Sequence, residues 1–273
     1  QFNFSGAPFD IALPNQRTVR IITQKNIRQD TVYTHVDVSE LELQKTLLLQ
    51  AQAQLLELAN KRSAYLEEQM LSTLNAIALA RDNETGQHIL RTQHYVKTIA
   101  LRLRALGHYR EALSDTDIDT MFKAAPLHDI GKVGIPDNIL LKPGRLTEDE
   151  WLVMKTHPII GENTLAATKH EKEHSRLLTV AQNIAGGHHE YWNGEGYPRG
   201  LQGPQIPLEA RIMALADVYD ALVSERVYKK NWTHESAVQF ITEKKEVQFD
   251  PFVVEAFLCE TDAFNEIAQA FKD

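Results

Sequence analysis

Cysteine is nearly absent from this sequence, since Cys259 is the one cysteine among 273 residues. An internal disulfide is therefore excluded, and a reducing compartment, the cytoplasm, is expected. The sequence lacks any apolar run near the roughly 20 residues that a membrane-spanning helix requires. It also lacks a signal-peptide pattern at its start. Because the chain begins at Gln1 and not at a methionine, we expect it to be a piece of a longer protein.

An excess of positive charge is lacking as well. The formal net charge is -8 and the isoelectric point is about 5.8. A broad basic face for a nucleic-acid polymer is therefore not expected. A small anionic ligand can still bind where metal ions or a few lysines and arginines are gathered. Apolar residues make up 43% and charged residues 24% of the chain, proportions that are ordinary for a globular protein.

The first segment, residues 1–38, is rich in strand-forming residues. Residues 18–22 alternate in polarity, residues 31–38 are rich in β-branched and aromatic side chains, and residues 26–30 between them have turn composition. This pattern predicts a β-hairpin. The way it leads into a helix resembles the last strands of a PAS-type sensor domain. A β-rich arm with no sensory role is the alternative.

The second segment, residues 39–76, contains no glycine or proline. Leu41, Leu48 and Leu55 recur at intervals of seven residues. Such a heptad pattern predicts a coiled coil or a long packed helix. A second copy of the chain, forming a parallel homodimer, is the expected partner. A helix that folds back on its own chain is the alternative.

The remainder, residues 77–273, has the composition of an all-α domain. Apolar residues recur at intervals near 3.6, which predicts amphipathic helices. From residue 70 onward the predicted helices span 70–82, 88–106, 115–128, 147–168, 173–188, 208–224, 233–245 and 251–272. Prolines and glycines mark the loops between them. The chain is thus predicted to be mainly α-helical, with a short β-rich segment and a long helix before the helical domain.

His128 and Asp129 are adjacent, and Pro126 and Gly131 flank them. Proline kinks a helix, and glycine allows a sharp backbone turn. We therefore expect an irregular helix end with both side chains aimed in one direction. Imidazole and carboxylate together suit a divalent transition metal. A simple charge pair at a helix end is the alternative.

Further candidate metal ligands occur along the helical part: Glu84, His88, His157, His188, His189 and Asp217. Glu84 and His88 are four residues apart, so a helix places them on one face. Asp217 lies among apolar residues, where an unpaired carboxylate is costly. Each residue alone has an ordinary structural explanation as a surface pair, a cap or a helix end.

Taken together, histidines and carboxylates without cysteine describe a site for Fe, Mn, Zn, Ni or Co. The set is too large for one ion, and two or three ions that share Asp129 would use all of it. Two metals about 3.5–4 Å apart generate hydroxide and suit attack at phosphorus.

The order and spacing of these motifs resemble the HD-GYP proteins, a branch of the HD phosphohydrolase superfamily. The resemblance covers roughly residues 72–250. The matching motifs are Glu84-Thr85-Gly86-Gln87-His88, Leu127-His128-Asp129-Ile130-Gly131-Lys132-Val133-Gly134-Ile135-Pro136-Asp137, Met154-Lys155-Thr156-His157, His188-His189-Glu190, Gly194-Glu195-Gly196-Tyr197-Pro198, Ala216-Asp217-Val218-Tyr219-Asp220-Ala221-Leu222 and Arg226-Val227-Tyr228-Lys229.

The resemblance implies a helical bundle with metals at its centre. It also implies a phosphodiesterase that hydrolyses cyclic di-GMP or 3'3'-cyclic GMP-AMP to the linear dinucleotide, to mononucleotides, or to both. Two or three divalent transition metal ions are implied, with Fe or Mn favoured over Ni, Co or Zn. A diguanylate cyclase of the GGDEF type is an implied partner. The alternatives are a catalytically silent scaffold that binds partner proteins and a general nucleotide phosphohydrolase.

The resemblance also implies a role for each matching residue. The first metal would be held by His88, His128, Asp129 and Asp217. The second would be held by Asp129, His157, His188 and His189, and a third would use Glu84. Asp129 and Lys132 would be catalytic, Lys132 lying near the scissile phosphate. Arg226 and Lys229, together with Lys132, would bind the substrate. One departure is Val227, where the family commonly has proline.

The loop motif Gly196-Tyr197-Pro198 completes the family pattern. We expect its glycine to supply backbone freedom and its proline to supply stiffness. We expect its tyrosine to pack or to donate a hydrogen bond, and not to react.

Overall fold

The computed structural model describes residues 3–4, 7–14, 17–25, 28, 30–79, 86–166, 175–224 and 232–272. The chain divides into two compact units, Gln1–Glu68 and Gln69–Asp273. Among the residues described, no helix is both long enough and apolar enough to cross a membrane.

The first unit begins with an antiparallel sheet. Its strands are β1 (Asn3–Phe4), β2 (Phe9–Leu13), β3 (Arg17–Lys25) and β4 (Thr31–Asp37). β3 is central: β4 pairs along one side of it, and β1 and β2 pair with successive parts of the other side. The predicted hairpin corresponds to β3 and β4. Strands β1 and β2 were not predicted: β1 has two residues, and β2 is exposed throughout.

A single long helix follows the sheet. Helix α1 spans Ser39–Leu79, and at 1.5 Å per residue its length is about 60 Å. The leucines of the predicted heptad are largely solvent-facing in the single chain, with Leu48 60% and Leu55 66% exposed. The long helix is therefore confirmed, while its pairing with a second copy stays a prediction.

The second unit is a helical bundle. After α1 its helices are α2 (Gly86–Leu106), α3 (Asp115–Ala124), α4 (Asp137–Leu140), α5 (Glu148–Met154), α6 (His157–Ala166), α7 (Arg176–Gly187), α8 (Leu208–Val223), α9 (His234–Glu243), α10 (Pro251–Leu258) and α11 (Thr261–Ala270). Helix α8 runs through the core, and Ala210–Ala216 is buried without interruption. Tyr95 of α2 stacks on Phe264 of α11 and meets the edge of Tyr219 of α8. The predicted all-α class of this part is confirmed.

Two predicted helices are each two helices in the structure. The predicted helix 147–168 is interrupted between Met154 and His157, so His157 begins α6 and does not lie within a helix opened by Thr147. Pro158 follows at the second position of α6, where its missing N–H costs nothing. The predicted helix 251–272 is likewise interrupted between Leu258 and Thr261. Apolar residues recur at helical intervals across both breaks, so the sequence pattern did not indicate them.

Candidate metal centre

The His128-Asp129 pair lies at an irregular helix end, as predicted. Helix α3 ends at Ala124, and the 3₁₀ turn Ala125–Leu127 follows it. Asp129 then precedes a second 3₁₀ segment, Ile130–Gly134. His128 is almost fully buried, at 1% exposure. The two short turns direct both side chains into the bundle, where the histidines of other helices meet them.

Backbone carbonyls fix the orientation of three buried histidines. Nδ1 of His128 lies 3.0 Å from the Ala125 carbonyl oxygen, and Nδ1 of His157 lies 2.9 Å from that of Met154. Nδ1 of His188 lies 3.0 Å from the Ile184 carbonyl oxygen. A carbonyl only accepts, so each Nδ1 must carry the proton. Each Nε2 therefore presents a lone pair to the centre.

The predicted ligands gather into two adjoining groups, in each of which the ligand atoms lie within 4.8 Å of one another. The first group contains His88, His128 and Asp217. The second group contains Asp129, His157, His188 and His189. They come from α2, the turns after α3, α6, the end of α7 and α8, so helices far apart in sequence build one site.

Asp129 connects the two groups through its two oxygens. Oδ1 lies 3.1 Å from Nε2 of His157 and 3.6 Å from Nε2 of His188. Oδ2 lies 3.2 Å from Nε2 of His128 and 2.8 Å from Nζ of Lys132. One carboxylate oxygen thus faces each group, which is the arrangement that a bridging ligand needs.

Buried polar atoms at this centre fit a divalent cation. Oδ1 of Asp129 and Nε2 of His157 and of His188 make no hydrogen bond within the part of the chain that the structure describes. Although Oδ1 is 3.1 Å from Nε2 of His157, both atoms present lone pairs, because the His157 proton lies on Nδ1. Buried lone pairs without a donor are costly. A cation held between them would satisfy them, so the residues present fit bound metal.

Burial keeps the imidazoles in the form that a metal requires. It lowers the pKa of His188, and it lowers the pKa of His189 well below the usual value. Burial alone would raise the pKa of Asp129, but Lys132 and His128 outweigh it and hold that pKa well below the usual range. Neutral imidazoles and an ionised carboxylate at neutral pH are the ligand forms that bind metal.

The sequence matches the HD domain family (HD_5) over residues 50–253. The chain belongs to the HD domain family. Its His188-His189-Glu190 motif and its Gly196-Tyr197-Pro198 loop place it in the HD-GYP branch, as the resemblance implied.

Named relatives agree with this membership. The HD domain chain is 55% identical over 211 residues to a probable cyclic di-GMP phosphodiesterase of Vibrio cholerae serotype O1, a match that covers 76% of this chain and 47% of the relative. It is 45% identical over 259 residues to a cyclic di-GMP phosphodiesterase of the same organism, covering 94% and 52%. A 3'3'-cGAMP-specific phosphodiesterase 2 of that organism is 41% identical, covering 76% and 37%. The chain spans about half the length of the first two relatives.

The HD domain also contains a buried support for His88 that the sequence analysis did not assign. Nδ1 of His88 lies 2.8 Å from Oδ2 of Asp220. Arg91 donates to both oxygens of Asp220, at 2.7 and 3.0 Å, and to the Phe271 carbonyl oxygen at 2.6 Å. A carboxylate behind a metal-ligating histidine fixes its tautomer and ring orientation. Asp220 lies three residues after Asp217 and Arg91 three after His88, and that helical spacing was the available signal.

We expect Asp220→Asn to weaken metal binding by about 10- to 100-fold, the usual cost of losing such a partner. The amide cannot pair with the Arg91 guanidinium as a carboxylate does, because it carries no negative charge and only one acceptor oxygen for the two hydrogen bonds that Arg91 donates. Metal content after dialysis against a weak chelator measures the effect. Asp119→Asn, which removes the exposed 2.6 Å ion pair with Lys123, is the matched control. Equal metal content in both variants would contradict the role of Asp220.

The Gly196-Tyr197-Pro198 loop is attached directly to the centre. Tyr197 stacks on the His189 ring with a centroid distance of 4.7 Å. The buried Glu190 carboxylate accepts hydrogen bonds from the backbone N–H of Arg199 and of Leu201, at 2.8 and 3.1 Å. Glu190, which received no role from the sequence, therefore shapes the loop.

Gly196 is required for space, and the expectation that it supplies unusual backbone freedom is wrong. Its φ is not positive, whereas those of Gly194 and Gly200 are. A Cβ at Gly196 would lie 2.2 Å from the backbone nitrogen of Tyr191. Close approach of two backbone segments excludes any side chain there.

Three predicted site residues lie outside the described part of the chain: Glu84, Arg226 and Lys229. The departure at Val227 lies outside it as well. Lys132 is described, and its ammonium lies beside Asp129 at the edge of the two groups. Its catalytic role stays a prediction.

Proposed function

We propose that this HD domain protein is a metal-dependent phosphodiesterase for cyclic di-GMP or the related 3'3'-cyclic GMP-AMP. The observation that supports it most is the pair of histidine and aspartate groups joined by Asp129. The named activities of the relatives indicate the substrate class. The silent-scaffold alternative has no support among those names.

We propose that His88, His128, Asp129 and Asp217 hold one ion and that Asp129, His157, His188 and His189 hold another. Two divalent ions, when bound, supply a nucleophile at neutral pH and neutralise charge on the phosphate. Fe or Mn is favoured, with Ni, Co or Zn as alternatives. Glu84 would serve a third ion.

The chain's own charged residues would act on the phosphodiester. Asp129 positions both halves of the centre through its two oxygens. The Lys132 ammonium, 2.8 Å from Asp129, would stabilise negative charge that develops on the phosphate or on the leaving oxygen. Arg226 and Lys229 would hold the phosphates, and the fork of an arginine suits that contact.

Product chromatography tests this function. Metal-depleted protein is loaded with Fe(II) or Mn(II) under reducing, oxygen-free conditions and incubated with cyclic di-GMP or 3'3'-cyclic GMP-AMP. We expect a linear dinucleotide, with or without mononucleotide, from at least one substrate, and no product when a chelator is present. Loaded protein that cleaves neither cyclic dinucleotide would overturn the proposal, and cleavage of simple nucleotides alone would replace it with a general phosphohydrolase.

We expect Glu84→Ala to open the ring but to accumulate the linear dinucleotide, because a third ion would hold that intermediate for the second cut. The unchanged protein should proceed further to mononucleotide. The time course of the two products in the same chromatography measures this. Identical product ratios would remove Glu84 from the second cleavage.

We also propose a parallel homodimer through α1, in the cytoplasm, with a GGDEF-type cyclase as a further partner. The exposed leucines of α1, among them Leu48 and Leu55, have the heptad spacing of a coiled coil. Light scattering should give the mass of two chains, and Leu48→Glu with Leu55→Glu should give one. A wild-type monomer at high protein concentration would contradict the dimer.

A further inference from the structure

Helix α5 lies directly before the metal-facing helix α6, and its own position is well anchored. Thr147 Oγ1 accepts the backbone N–H of Glu150, and the Glu150 carboxylate accepts that of Thr147 at 2.7 Å. Lys142 Nζ lies 2.5 Å from the same carboxylate. These contacts fix the start of α5, and two residues separate its end at Met154 from His157. Side chains of α5 are therefore held at a defined place relative to the metal centre.

A row of rings extends from the metal centre to α5. The His189 ring stacks on Tyr197, and Tyr197 meets Trp151 of α5 edge to face with a centroid distance of 6.4 Å. Trp151 is 44% exposed. Burial raises the pKa of Tyr197, so its hydroxyl stays neutral. The row thus begins at a predicted metal ligand and ends at a solvent-facing indole.

The ammonium group of Lys155 lies near the rings of both Tyr197 and Trp151. Nζ of Lys155 lies 5.3 Å from the Tyr197 centroid and 5.9 Å from the Trp151 centroid. Lys155 is the C-cap residue of α5 and lies four residues after Trp151, so the two side chains lie on the same side of the end of that helix. An exposed indole beside an ammonium suits a ligand that is both aromatic and anionic. A nucleotide has both properties, since every base has a face that stacks on an aromatic ring.

We propose that Trp151, together with Lys155 and Tyr197, forms the platform on which one purine base of the cyclic dinucleotide stacks while its phosphate lies at the metal centre. This inference rests on the proposed function and deepens it, because it assigns residues that recognise the base. Trp151 is 44% exposed, so a base can reach its indole ring.

Fluorescence tests the platform directly. The chain has three tryptophans, and Trp192→Phe with Trp232→Phe leaves Trp151 as the one emitter. In metal-loaded protein, a slowly hydrolysed phosphorothioate of cyclic di-GMP should quench this emission, because stacking brings the base against the indole. Inorganic phosphate, which occupies the metal centre without a base, should not quench it. Equal quenching by both, or by neither, would overturn the platform.

Substitutions test its contribution. We expect Trp151→Ala to weaken binding of the phosphorothioate about tenfold, the usual order for one stacked base, and to raise KM for cyclic di-GMP more than it lowers kcat. Trp151→Phe should retain most of the affinity. Leu152→Ala, which alters the next and more exposed residue of α5, is the control for effects on the helix. Equal thermal unfolding of the variants excludes a loss of fold as the cause.

The outcomes separate this inference from the proposed function. If the wild-type protein hydrolyses cyclic di-GMP and Trp151→Ala binds and turns it over with an unchanged KM, the platform is wrong and the function stands. If no cyclic dinucleotide is bound or cleaved, GMP becomes the probe. Quenching of Trp151 emission by GMP would then support the platform while the function fails. Calorimetry should in that case show GMP binding to the wild-type protein and a loss of that binding in Trp151→Ala. No response to GMP either would overturn both.

Discussion

Asp129→Ala is expected to abolish hydrolysis and to empty both halves of the metal centre. Its two oxygens face different groups, Oδ1 toward His157 and His188 and Oδ2 toward His128 and Lys132. Removing the carboxylate takes one ligand from each group and leaves the ammonium of Lys132 without its negative neighbour. We expect turnover to fall by more than about a thousandfold, since positioning and charge neutralisation are lost together.

A second substitution at the same position separates the effect of the negative charge from that of the size of the side chain. Asp129→Asn keeps the size of the side chain and one carbonyl oxygen but loses the negative charge, so we expect it to retain more metal than Asp129→Ala. Metal content by mass spectrometry is measured beside turnover. Asp119→Asn on the exposed face of α3 is the control for the change of net charge. Full metal occupancy with full turnover in Asp129→Ala would mean that the carboxylate does not bridge.

The sequence predicted the general architecture because that architecture follows from local pattern. Period-3.6 apolar spacing predicted the helices, and β-branched composition predicted the hairpin of β3 and β4. The residues proposed as ligands were found from residue type, helical spacing and the resemblance to the HD-GYP motifs, and all those that the structure describes gather in two groups. Glu84 is outside the described residues and was not tested.

The sequence did not predict contacts that depend on how helices meet. Helical spacing places Asp220 beside Asp217 and Arg91 beside His88, but the two residues are 129 positions apart and that spacing does not indicate that they form an ion pair with each other. The orientation of the two Asp129 oxygens likewise depends on three segments meeting: residues 128–132, the start of α6 and the end of α7. The break before His157 was hidden because apolar spacing continues across it. Side chains can be assigned to a helix face from sequence, but their partners on other helices require the fold.

The role of Gly131 likewise depends on how helices meet. Its predicted role was to permit a sharp turn, but its φ is not positive. Its hydrogen in place of a side chain is needed because α6 passes directly over it. A Cβ at Gly131 would lie 1.9 Å from the carbonyl oxygen of His157 and 2.5 Å from the backbone nitrogen of Gly161. These are backbone atoms of a helix and cannot rotate away.

We therefore expect Gly131→Ala to displace α6 and to lower the free energy of unfolding by more than about 3 kcal/mol, above the usual 1–3 kcal/mol of an overpacked core. Movement of α6 also withdraws His157 from Asp129, so metal content should fall as well. Gly134→Ala is the matched control in the same 3₁₀ segment. The three atoms nearest to its Cβ would all belong to the Ile160 side chain, the closest at 2.8 Å, and that side chain can change rotamer.

Urea unfolding with a chelator present separates packing from metal binding, because a bound ion would add its own stabilisation. Trp151, Trp192 and Trp232 all belong to the second unit, so their fluorescence reports the unfolding of the bundle. We expect the midpoint of Gly131→Ala to fall far more than that of Gly134→Ala, whose cost should stay within the usual 1–3 kcal/mol of an overpacked core. Equal midpoints would mean that α6 does not approach Gly131 closely. A large fall in both variants would instead mean that neither glycine in the turn after Asp129 tolerates an added methyl group. The packing of Ile160 against Gly134 would then position His157 as much as the close approach at Gly131 does.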